Sequence, residues 1–190
     1  MVCLGPRIPR EIVGPRPLSG VVVRPLNFTV RHPVEPLTDR SRAVARLRQV
    51  GTVVEFVTDA AWVPELERRF KRGLPPLYRS LLLRFSFASR EVGEVELFGN
   101  LGWTDEHDIT VAPFSDPLLS TWLIDRGYIQ FGRPATGSYD PVCFDYSVKV
   151  RGSEPTIVSL SHEDVLLDRK KVRKRTVAAS FGALLGVRGA

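Results

Sequence analysis

The chain has 190 residues, 43% apolar and 25% charged, which is enough for one domain with a sizeable core and no more than one. No uncharged apolar run approaches the roughly 20 residues that cross a bilayer, and no apolar h-region follows Met1, so no membrane association is expected and the chain reads as cytoplasmic. The net charge of +6 is segregated: residues 1–54 carry nine Arg against Glu11, Glu35 and Asp39, residues 163–190 carry seven Lys or Arg against Glu163, Asp164 and Asp168, and the stretch between them is net acidic. Basic ends on an acidic body fit a nucleic-acid partner and fit solvated tails equally well. Cys3 and Cys143 belong to no Cys-x-x-Cys pair, so neither a disulfide framework nor zinc-type spacing is present, and Cys143 reads as a small buried hydrophobe.

Pro6, Pro9, Pro15, Pro17, Pro25, Pro33 and Pro36 rule out a regular helix over residues 1–37. This is an extended arm with at most an edge strand at 21–23 or 27–30. Residues 38–49 follow as a short basic helix with Ala43, Val44 and Leu47 on one face. Residues 1–50 are therefore grouped as a Pro/Arg-rich arm with a short basic helix, and 51–190 as the folded domain. β-branched residues over 52–57 predict a strand, and Thr58-Asp59 an N-cap for a helix that carries Trp62, Leu66 and Phe70 and closes at Gly73. Pro75 and Pro76, tolerated in a first turn but not in a helix middle, open a second helix with apolar Tyr78, Leu81, Leu82 and Phe85.

The alternation over 94–98, beyond Gly93, predicts a half-buried strand in a hairpin with the segment 85–88. Residues 109–112 are a candidate strand. Asp116-Pro117 reads as an N-cap with proline at the first helical position, starting a short helix through Leu118, Leu119, Trp122 and Leu123 that Gly127 ends. Strands over 128–132, 142–150 and 156–160 are separated by turn residues and should pair antiparallel. A closing helix over 176–185 buries Val177, Phe181, Leu184 and Leu185. Helices, then strands, then a helix is an α+β pattern with one sheet face covered.

These elements carry a family resemblance. Glu65-Leu66 through Leu74-Pro75-Pro76-Leu77-Tyr78 to Leu81-Leu82 is similar to the helix, Leu-Pro, tyrosine and helix signature of the SUKH superfamily, which includes Smi/Knr-type cell-wall assembly regulators and bacterial immunity proteins. Tyr128-Ile129-Gln130-Phe131-Gly132, Gly137 and Cys143-Phe144-Asp145 resemble the family's central strands. Ser161-His162-Glu163 resembles its His-Glu step, and Val177-Ala178-Ala179-Ser180-Phe181 with Leu184-Leu185 its closing helix. The resemblance implies a SUKH-like α+β fold, with N-terminal helices packed on a mainly antiparallel sheet and a C-terminal helix. It also implies a non-enzymatic domain that binds a protein partner, in bacteria a toxin domain neutralised inside the same cell, with no cofactor.

The residues themselves offer few chemical constellations. Asp105-Glu106-His107-Asp108 is the densest set of potential ligands and bases, yet in an extended segment only alternate residues share a face, so at most Asp105 with His107 or Glu106 with Asp108 could converge, and no spaced partner such as His-x-x-x-His accompanies them. A solvated acidic loop able to meet a basic partner is the plainer reading, with a catalytic or metal role for Asp105 or His107 as the competing one. His162 with Glu163 resembles an acid/base pair, but Ser161-x-x-Asp164 fits a helix cap. Trp62 and Trp122 are assigned to the core, whereas Trp103 lies beside the acidic loop, so Trp103, Asp105, Glu106 and Asp108 form the candidate partner surface. The run of Arg169, Lys170, Lys171, Arg173, Lys174 and Arg175 reads first as a solvated loop, with an anionic partner, protein or nucleic acid, as the competing reading. Against it stand the absence of interleaved aromatics for base stacking and a position just before a helix N-terminus.

Overall fold

The computed structural model describes residues 38–55, 60–101, 105–148 and 154–187. The arm over 1–37, Thr58-Asp59 and Trp103 lie outside the described residues. Helix α1 (Asp39–Gln49) begins at Thr38, whose Oγ1 accepts the Ser41 N–H at 3.3 Å. Its Ala43, Val44 and Leu47 are buried, so this basic helix, grouped by sequence with the arm, packs in the main core. Its C-terminal end is held by Arg90, whose Nη1 and Nη2 donate to the carbonyls of Leu47 and Thr52, both at 2.7 Å. A cation there suits the negative end of the helix dipole.

Strand β1 (Val53–Glu55) is followed by α2 (Trp62–Arg69), whose N-cap residue is Ala61 and makes no side-chain bond. Thr58-Asp59 is therefore not the cap, because the helix begins only at Trp62. Val63, Leu66 and Phe70 are the buried residues, at i, i+3 and i+7, which leaves Trp62 half-buried at the edge of the stripe. Helix α3 (Pro76–Arg84) opens on Pro76, as its sequence requires, and buries Tyr78, Leu81 and Leu82. It runs straight into β2 (Phe85–Phe87), which pairs antiparallel with β1 through Val53 opposite Phe87.

The expected hairpin is accordingly displaced. Residues 85–87 belong to a separate two-stranded sheet, and the hairpin joins β3 (Arg90–Val92) to β4 (Val95–Leu97). Gly93, at φ 60, makes the turn, a backbone region in which glycine carries no Cβ penalty. The main sheet continues in chain order through β5 (Tyr128–Pro134), β6 (Val142–Asp145), β7 (Thr156–Leu160) and β8 (Lys174–Ala178), every pair antiparallel. The β5–β6 register shifts between Gln130 and Gly132, and a Cβ at Gly132 would stand 2.5 Å from the Glu96 carbonyl oxygen. Only glycine permits that approach.

Three further elements depart from expectation for local reasons. Residues 109–112 form no strand: the Asp108 carboxylate accepts from the Thr110 N–H at 2.7 Å and its hydroxyl at 2.6 Å, and the chain turns into a 3-10 turn at Ala112–Phe114. Strand β6 stops at Asp145 because that carboxylate takes the Ser147 N–H and hydroxyl in the same kind of turn. The closing helix over 176–185 is divided. β-branched Thr176 and Val177 complete edge strand β8, and Ser180, accepting the Ala183 N–H at 3.1 Å, caps the short α6 (Phe181–Leu184).

The fold is α+β, and both faces of the sheet carry helices rather than one. Ile129, Phe131, Val142, Phe144 and Ile157 pack with α1, α2, α3 and α6. On the opposite face Tyr128, Cys143, Val158 and Leu160 pack with Leu119 and Leu123 of α4 (Pro117–Asp125) and Val165 of α5 (His162–Leu166). At the centre of the main core Tyr78, Phe131, Phe144 and Phe181 form one aromatic cluster. Tyr78 lies 5.8, 5.3 and 4.9 Å from the other three rings, and Phe131 stacks on Phe144 at 4.1 Å.

Candidate functional site

The acidic loop is drawn onto the sheet by a cross-strand pair. Glu96 of β4 stands directly opposite Arg133 of β5, where unlike charges attract, and accepts the Arg133 Nε–H at 2.7 Å. Its other oxygen is 2.7 Å from Nδ1 of His107, at the end of the 3-10 turn Asp105–His107. All three side chains are half-buried. Both Glu96 oxygens and the imidazole Nδ1 are thus committed to one another, and the network pins the loop.

Of the four residues of the candidate partner surface, the side chains of Glu106 and Asp108 are described. Trp103 lies outside the described residues, and of Asp105 only the backbone is described. Asp108 is buried at 7% exposure with its carboxylate spent on Thr110, so it offers nothing to a partner. Glu106 is exposed and lines a groove of about 420 Å³. The groove runs between Val111, Asp116 and Leu119 on one side and Arg133, Tyr139 and His162 on the other.

Two features make this groove the best-formed candidate for a partner. Tyr139, which lines it, is 75% exposed, and Leu118, beside the lining residue Leu119 but not itself in the lining, is 78% exposed, so both leave most of their surface to solvent. The start of α4 is also rigid, because Asp116 accepts the N–H groups of Leu118 and Leu119 at 2.9 and 3.1 Å. Across a shared rim of Tyr139 and His162, a second cavity of about 540 Å³ holds Asp140, Ser161, Glu163 and Arg173. His162 is fixed there by its backbone N–H, which donates to Asp140 at 2.8 Å. Ser161 caps α5 through the Asp164 N–H, as the sequence indicates. Glu163, one residue on, is exposed and its charge lies near Arg173 rather than His162.

The basic run is a different structure from the solvated loop expected. It does not precede a helix, because Lys174 and Arg175 open β8. Arg173 and Arg169 reach the buried Asp164 at 2.8 and 2.9 Å, Lys174 reaches Asp145 at 3.0 Å, and Arg175 reaches Glu94 at 2.8 Å. Hydrogen bonds from the Arg173 side chain and backbone bring the Asp164 carboxyl down to about 2. A hydrogen bond to Asp145 in turn raises the Lys174 ammonium. Trp122, expected in the core, is half-buried and donates its Nε1–H to Asp168 at 3.0 Å.

Cys143 is fully buried, and burial followed by the nearby Asp145 charge pushes its thiol well above the ordinary range. Among the described residues no three His, Cys, Asp or Glu side chains gather as a metal-ligand set, and no helix is long and apolar enough to cross a membrane. Sequence reasoning missed Tyr139 and the Glu96–His107–Arg133 network. Tyr139 had a signal, an aromatic flanked by the turn residues Gly137, Ser138 and Pro141; the network, joining residues far apart in sequence, had none.

Fold and surface together define a small α+β domain whose sheet is wrapped by helices on both faces and whose open side presents grooves rimmed by an exposed tyrosine. No family model matches the chain, and no curated protein matches it in sequence.

Proposed function

We propose that the chain is a non-enzymatic, cytoplasmic protein-binding domain of the SUKH type, acting as an immunity protein that occludes a cognate toxin. The observation that supports this reading is the aromatic cluster. Tyr78, Phe131, Phe144 and Phe181 come from four separate stretches that resemble the family, and all four meet ring to ring. The docking face is the groove lined by Glu106, Leu119 and Tyr139. Exposed tyrosines are frequent interface anchors, and removing one such anchor costs about 2 kcal/mol or more of binding.

The test is co-expression with toxin-like products of adjacent genes, scored by growth rescue and co-purification. Rescue with a stoichiometric complex is expected, weakened at least about tenfold by Tyr139→Ala. No complex and no rescue with any neighbour would remove the reading.

A further inference from the structure

The turn between α5 and β8 is held at both ends. Asp168 adopts φ 44, a left-handed conformation that aspartate tolerates better than most residues. Its Oδ1 accepts from Trp122 Nε1 at 3.0 Å and from Arg126 Nη2 at 3.2 Å, which ties the turn to α4. Arg169 and Arg173 tie it to the buried Asp164. Lys170 and Lys171 stand between these anchors, both exposed, and neither has an acidic partner among the described residues.

Below them lies a cavity of about 600 Å³ whose walls include Trp122, Arg126, Tyr128, Val172 and Lys174, a size that suits a small ligand. The Trp122 and Tyr128 rings are parallel with centroids 6.2 Å apart, and the Arg126 guanidinium lies 4.2 Å from the Trp122 centroid. The aromatics missing from the basic run in sequence are thus supplied by α4 and β5. Lys174 is paired with Asp145, Arg126 with Asp168, and Arg169 shares Asp164 with Arg173, which leaves the two lysine ammoniums as the cations at the cavity without a carboxylate of their own among the described residues. Neighbouring like charges on a fixed turn repel, and a phosphate, with its charge of about −1.5 to −2, removes that cost. The half-buried Trp122 ring and the exposed Arg126 guanidinium, backed by the buried Tyr128, offer planar surface that a bare inorganic anion would not use.

We propose that this cavity binds a nucleotide unit, its phosphate on Lys170 and Lys171 and its base against the Trp122 and Arg126 wall. The unit is a free nucleotide or part of a single strand. The site shares no lining residue with the proposed docking groove, so either assignment can fail without the other.

The test titrates the full chain at low salt with ADP, pyrophosphate and a short single-stranded RNA, beside a Lys170→Ala/Lys171→Ala variant checked for an unchanged melting midpoint. ADP should bind about tenfold more tightly than pyrophosphate. The variant should weaken ADP and RNA about tenfold or more and lower the salt slope for RNA by about 1.4, the share of two phosphate contacts on a single strand. RNA binding tighter than ADP identifies a strand as the source, and ADP binding at least as tight identifies a free nucleotide; both support the site. Pyrophosphate bound as well as ADP, binding that the variant leaves intact, or no binding of any probe would overturn it.

Discussion

Two buried polar side chains show how single residues fix behaviour that the fold alone does not. Asp164 is enclosed, its carboxylate receiving the Arg173 N–H and Nε–H together with Arg169. Hydrogen bonding to Arg173 brings its carboxyl from 3.8 to about 2. A depressed folded value means that this contribution to stability is complete above about pH 4 and is lost as pH falls towards 2. Thermal midpoints of wild type and Asp164→Asn should differ at neutral pH and converge near pH 2; parallel curves would show that the carboxylate is not the group responsible. Tyr78 is the opposite case. Its hydroxyl is buried without a hydrogen-bond partner, and desolvation raises its ionisation above the ordinary range. Because an unpartnered buried hydroxyl costs free energy, Tyr78→Phe should leave stability unchanged or raise it by up to about 1 kcal/mol in urea unfolding. A clear loss would reveal a partner for that oxygen.

At the level of elements, what sequence could indicate was what neighbours in the chain decide. Pro76 at the start of α3, Asp116 and Pro117 at the start of α4, and the Ser161 cap of α5 are all local chemistry, and each is found where its residues place it. The misplacements arise where pairing across the chain decides. Residues 174–178 become an edge strand because β7 offers a ladder, and 85–87 leave the main sheet because β1 is their partner. Helix α1 is the sharpest instance, since its basic outer face looked like part of the arm while its inner face fills the core. What fixes it is Arg90, only 6% exposed, which holds Leu47 and Thr52 carbonyls from 43 and 38 residues away. Replacing Arg90 with Met keeps much of the apolar volume but removes charge-assisted bonds worth about 1.5–3 kcal/mol each. Arg90→Met should therefore destabilise the protein by about 3 kcal/mol, with the earliest loss of amide protection over residues 43–50. Uniform loss of protection would mean that α1 is held by its apolar face alone.

For the whole molecule, the decisive arrangement is one sheet serving two cores, and it explains why the candidate sites were harder to read than the fold. Sites here form where the outer layer of α4 and α5 stops short of covering the sheet. Tyr139 and His162 line one groove, and Trp122 and Tyr128 meet the basic turn in another cavity. Those juxtapositions depend on how far each helix reaches over the second face, which no local spacing encodes. Of the two partner-surface residues whose side chains are described, Glu106 reaches a groove and Asp108 does not, whereas the basic run was recognised without its aromatic wall. Whether the outer layer opens apart from the main core can be measured at Cys143, which lies fully buried between β6 and that layer. If the two cores unfold together, the thiol is exposed only on global unfolding. In a Cys3→Ser background its reaction with a thiol reagent should then be slowed by the folding equilibrium, on the order of 10⁴-fold for a domain of ordinary stability. The rate should also rise with urea at the slope of global unfolding. A suppression of only about tenfold, insensitive to urea, would show that α4 and α5 lift off while the main core stays folded.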